Sequence, residues 1–129
     1  MKALKNHSIW SPKVVTIFSI FGLPVTGAFL AMMNYKSMGK TKRGIIFFLE
    51  ILGIVVVLNH VFYFLNQDEG FNGFVVAIIA VIFIYFDQNK MYFEWKKMYP
   101  DENTRPWWSA LGATVIVGIV IGGAIYLIG

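Results

Sequence analysis

Cysteine is absent from the 129 residues, which excludes disulfides and thiolate metal ligands. Histidine occurs only at His7 and His60, too few for a histidine metal cluster. Charged residues make up 14% of the chain against 57% apolar residues. A soluble helical bundle needs polar faces that such a chain cannot supply. Also missing are the HExxH, GxSxG, P-loop and dinucleotide-binding patterns. The acidic pairs Asp68-Glu69 and Asp101-Glu102 fall in polar stretches and read as solvated turns. The expectation is therefore a non-enzymatic protein with no catalytic residues, no bound metal and no cofactor. The formal charge of +4 points to membrane topology rather than nucleic acid, because Lys and Arg gather in cytoplasmic loops.

What the chain does have is apolar length. Four stretches, 14–33, 45–65, 71–86 and 107–128, contain 20, 21, 16 and 22 residues. About 20 helical residues cross the hydrocarbon of a bilayer. Lys2 and Lys5 ahead of the first stretch imitate a signal peptide. The apolar run outlasts a signal core, however, and Met32-Met33-Asn34-Tyr35 is a poor cleavage site, so retention is expected. The third stretch continues past Asp87 as an amphipathic helix to Tyr99. Met91, Tyr92, Trp95, Met98 and Tyr99 share one face there, with Lys90, Glu94 and Lys97 around the other. The expected fold is a single all-α membrane domain over residues 1–129. It has four hydrophobic helical segments, the third extended by that amphipathic cytoplasmic helix.

The first segment carries the main ambiguity. Ser11-Pro12 suits a helix start, with Ser11 as N-cap and Pro12 at the first helical position. Gly22-Leu23-Pro24 then interrupts the run, since Pro24 removes a backbone donor and clashes with the preceding turn. If the segment spans as a kinked helix, eight of the 11 basic residues face the cytoplasm and three face outward. If it enters, turns and returns, all 11 lie inside. A turn at membrane depth is tolerated only where it is buried in protein or faces water. Gly27 and Ala31 would let the returning arm pack closely. In both arrangements loops 34–44 and 87–106 are cytoplasmic and the C-terminus is exterior.

Polar residues inside apolar runs form the candidate site. Glu50 lies about 9 Å below the cytoplasmic end of the second segment, where a carboxyl needs a donor or a cation. It reads as a packing contact to a neighbouring helix or as a cation or proton site. Asn59 and His60 lie further along the same helix. His60 is about 15 Å from Glu50, so the two cannot share one site. On the last segment Ala110, Thr114, Gly118 and Gly122 form a stripe of small residues every fourth position, suited to close helix approach. Trp10, Trp95, Trp107 and Trp108 are expected to anchor at the membrane interface.

Trp10-Ser11-Pro12, Phe21-Gly22-Leu23-Pro24, Gly27, Asn34-Tyr35 and Gly39 together resemble a pattern in uncharacterised small bacterial helical membrane proteins. The resemblance covers about 30 residues, differs at Leu23 and Met38, and implies a bacterial cytoplasmic-membrane module without any particular activity. The leading functional expectation is a small inner-membrane protein acting through helix–helix contacts, as a homo-oligomer or with other membrane subunits. The alternatives are a small oligomeric transporter or ion channel with Glu50 in its pathway, and a membrane-surface sensor using the basic loops.

Overall fold

The structure, a computed structural model, describes residues 8–21, 23–66 and 69–128. Five helices follow one another: α1 (Pro12–Phe21), α2 (Leu23–Ser37), α3 (Thr41–Asn66), α4 (Glu69–Met98) and α5 (Trp107–Ile128). Three stretches, Thr41–Leu65, Asn72–Met98 and Trp107–Ile128, are long and apolar enough to cross a membrane. The expectation of four hydrophobic helical segments is corrected to three, because the first run is two short helices. Gly22 itself lies outside the described residues, as do Gln67 and Asp68 of the acidic turn.

The break has the expected cause. Pro24 falls in the first turn of α2, where a missing N–H costs nothing because it would have no helical partner. Carried on as one helix, residues 10 and 34 would lie about 36 Å apart. Instead the Trp10 N–H donates to Asn34 Oδ1 at 2.9 Å. Nearer the bend, Gly27 lies against Ser19, so closely that a Cβ on Gly27 would overlap the Ser19 hydroxyl. The two helices therefore form an antiparallel hairpin, with Val15, Ser19, Gly27, Ala28 and Ala31 enclosed.

Local signals set the remaining boundaries. Ser11 Oγ accepts from Val14 N–H at 3.3 Å and Ser11 C=O from Val15 N–H at 3.1 Å, which caps α1. At the end of α2, Lys40 N–H reaches Tyr35 C=O at 2.8 Å and Gly39 N–H reaches Lys36 C=O at 3.0 Å. Gly39 sits at φ 80°, which completes a Schellman cap and turns the chain into α3.

Helix α4 organises the interior. Asn72, Val76, Ala80, Ile84, Gln88, Met91 and Trp95 are all buried and recur every three or four residues, which defines its inward stripe. At 30 residues the helix is about 45 Å long, well beyond the thickness of hydrocarbon. The apolar side of its amphipathic end therefore meets protein: Trp95 is fully enclosed and Met91 nearly so. Trp10 is also enclosed, whereas Trp107 and Trp108 are exposed. The interface role expected of Trp10 and Trp95 gives way to a core role, because both are enclosed within the buried cluster that also holds Ile9, Tyr35, Met38 and Phe47.

Two contacts of the hairpin and one control position give a test. Gly27→Val should destabilise the protein by about 3 kcal/mol through overpacking, with partial recovery on adding Ser19→Gly. Gly53→Val, where open space surrounds the position, should leave stability nearly unchanged. Thermal unfolding in detergent reads all three.

Candidate functional site

The densest polar arrangement joins the open end of the hairpin to α4. Asn34, fully enclosed, uses its amide as a substitute peptide. Its Oδ1 accepts from Trp10 N–H at 2.9 Å, and its Nδ2 donates to Trp10 C=O at 3.0 Å and to Gln88 Oε1 at 2.8 Å. Gln88, also fully enclosed, donates from Nε2 to Asp87 Oδ2 at 3.1 Å. The Tyr35 hydroxyl lies 2.9 Å from both Asp87 carboxylate oxygens. Arg43 stands 3.8 Å from Asp87 and packs over the Tyr35 ring at 5.9 Å. Burial, reinforced by the Asp87 charge, pushes the Tyr35 phenol well above its ordinary range. Tyr35 therefore stays a donor at any physiological pH.

The start of α5 is tied into the same end. Trp10 Nε1 donates to Ser109 Oγ at 2.7 Å, and Ser109 Oγ donates in turn to Pro106 C=O at 2.7 Å. Arg105 N–H donates to Ile9 C=O at 2.7 Å, and its guanidinium donates to Ser37 Oγ while stacking 4.8 Å from the Trp10 ring centre. Burial lowers the Arg105 pKa from its ordinary value. On the surface beside this network a cleft of about 260 Å³ is lined by Tyr35, Lys40, Arg43, Asp87, Lys90 and Glu94. Lys40 and Glu94 pair across it at 3.5 Å with both side chains well exposed, a geometry that adds little stability. Asp87 thus bonds Tyr35 and stands near Arg43.

The residues singled out from sequence are not gathered into one site. Glu50 is exposed on α3, where it lines an open groove with Phe47, Gly53, Ile54, Val57 and, from α4, Phe83, and its carboxyl is close enough to interact electrostatically with Arg43 and Asp87. Asn59 Nδ2 donates to Val55 C=O at 2.9 Å, and His60 Nδ1 lies 2.8 Å from Val56 C=O, both one turn back on their own helix. Along the α5 stripe, Ala110 is fully enclosed and Thr114 partly so, the latter donating to Ala110 C=O at 2.8 Å. Gly118 and Gly122 are exposed, with open space where a Cβ would stand. The stripe starts inside the fold and leaves it. Among the described residues, no group of three or more His, Cys, Asp or Glu side chains is placed to hold a metal ion.

Comparison with protein-family models, curated proteins and solved structures returns no match. The physical arrangement therefore has to carry the functional argument. What it supplies is a polar latch. The amides of Asn34 and Gln88 join the hairpin to α4, and Asp87 is engaged by Tyr35 and Gln88 beside Arg43.

Asn34→Leu should cost about 3 kcal/mol or more, because it strands both backbone groups of Trp10 and the Gln88 oxygen. Gln88→Leu alone should cost less, and the double variant should be clearly less than additive, as expected for one shared network. Denaturant titration in detergent measures the cycle.

Proposed function

We propose that the chain is a small non-enzymatic protein of the bacterial cytoplasmic membrane that works through helix–helix contacts, as an oligomer or as an accessory subunit. The observation that carries this reading is the isolation of α5. Of its 22 residues only Ala110 is buried, and no neighbour stands within 4 Å of the Cβ positions of Gly112, Gly118, Gly122 or Gly123. A helix lined with small residues lets a second backbone approach closely, which is how helices associate where hydrophobic forces between them vanish.

The membrane arrangement proposed alongside is a re-entrant α1–α2 hairpin with three spanning helices. Its support is the gathering of the described basic residues at one end. Lys40 pairs with Glu94, Arg43 stands beside Asp87, and Arg105 bonds Ser37, all at the end where Trp10 meets Asn34. A cytoplasmic placement of that end follows the positive-inside rule. Pro24 itself is buried in protein, as a backbone turn at membrane depth requires.

Two experiments test these readings. Gly118→Leu with Gly122→Leu should reduce the size or partner content of the protein in nanodiscs, while unchanged assembly counts against contacts through α5. Because the chain has no cysteine, Ala3→Cys supplies a unique thiol. An impermeant maleimide should label it only from the cytoplasmic side. Labelling from the exterior would establish a single kinked span instead.

A further inference from the structure

The charged cleft beside the latch and the apolar groove on α3 belong to one furrow. On α3, Arg43, Phe47, Ile51, Ile54 and Leu58 recur every three or four residues, which sets them along one face. On α4, Phe83, Asp87, Lys90 and Glu94 do the same. The cleft occupies the end nearest the start of α3. The groove, of about 700 Å³, continues from Phe47 past Gly53 to Leu58. Phe47 to Leu58 covers about 16 Å of helix, close to the roughly 15 Å of hydrocarbon in one leaflet of a bilayer. Helix α5 packs against α1 and α2, which leaves the furrow uncovered. A Cβ at Gly53 would meet nothing within 4 Å, so the groove is open there.

The two parts ask for two chemistries in one molecule. Phe83 and Val57 stand exposed in the groove, an apolar surface that suits a hydrocarbon chain. In the cleft, Lys40, Arg43 and Lys90, with the adjoining Lys42, outnumber the carboxylates of Glu50, Asp87 and Glu94. Those carboxylates already face donors or cations. Asp87 accepts from Tyr35 and Gln88, Glu94 stands 3.5 Å from Lys40, and Glu50 lies within electrostatic reach of Arg43. The sequence ahead of Ser8 adds Lys2 and Lys5 and no acid, so the excess of positive charge stands. Arg43 is half exposed, and its guanidinium carries five N–H donors, so it can reach a phosphate while remaining beside Asp87. We propose that the furrow binds one anionic glycerophospholipid, with its phosphate held by Lys40 and Arg43 and one acyl chain laid along α3 over Gly53. This goes beyond assembly through α5 and stands whether or not α5 has a partner.

The test uses the full chain in dodecyl maltoside and native mass spectrometry with three probes. Phosphatidylglycerol carries phosphate and chains, diacylglycerol only the chains, and glycerophosphoglycerol only the headgroup. The unaltered protein should retain one phosphatidylglycerol, bind diacylglycerol about tenfold more weakly and hold no glycerophosphoglycerol. Lys40→Gln with Arg43→Gln should bring phosphatidylglycerol down to the affinity of diacylglycerol, whose own binding stays unchanged. Gly53→Leu fills the groove and should weaken both lipids by about tenfold, with thermal unfolding of the lipid-free protein unchanged. If the double variant fails to fold, the Gly53 variant and the comparison of probes on the unaltered protein still decide. Equal affinities for phosphatidylglycerol and diacylglycerol, or affinities that neither variant changes, overturn the proposal. Glycerophosphoglycerol binding as tightly as phosphatidylglycerol also overturns it, since the groove would then contribute nothing.

Discussion

The double hydrogen bond between the Asn34 amide and the backbone of Trp10 is the constraint on which the rest of the fold depends. Residues just ahead of a helix leave peptide groups that a buried chain must satisfy. Here one side chain satisfies both the N–H and the C=O of Trp10, then uses its remaining N–H on Gln88. That fixes the open end of the α1–α2 hairpin and, in the same stroke, the depth at which α4 lies against it. In low-dielectric surroundings such bonds are strong when complete and costly when broken. The ring of Trp10, held in place by its backbone, becomes the surface on which Arg105 stacks and from which Ser109 is held.

Much of the architecture is legible from residue pattern. Ser11-Pro12 marks the start of α1, Pro24 falls at the break, and Gly27 supplies the close approach between the arms. The continuous α4 through Asp87 follows from the spacing of Met91 and Trp95. The latch is harder to see. Asn34 sits at the edge of a basic loop and Gln88 beside Asp87 and Lys90, where polar residues read as solvated. The signal was nevertheless present: Gln88 and Asn72 fall in register with Val76, Ala80, Ile84 and Trp95. A polar residue within a buried stripe asks for a partner, but its identity, 54 residues away in Asn34, is a tertiary fact. Trp10 and Trp95 misled for a related reason. A tryptophan near the end of an apolar run suits an interface and a core equally well, and only the neighbouring helix decides between them.

The molecule is asymmetric from end to end. One end is knitted by side-chain bonds among four helices and two loops. Beyond it, α5 runs without close neighbours at its glycines, and only Ala110 near its start is buried.

The ties to Trp10 also fix an order of assembly. Its indole and ring face are engaged by Arg105 and Ser109, 99 residues further along in the case of Ser109. During synthesis the hairpin can fold on itself and Asn34 can grip the Trp10 backbone early. Gln88 can join only once α4 has been made, and the indole stays uncommitted until the first turn of α5 emerges. The segment ahead of α1 is thus secured by a residue 99 positions further on, so a ribosome that stalls before α5 leaves the indole of Trp10 without its Ser109 partner.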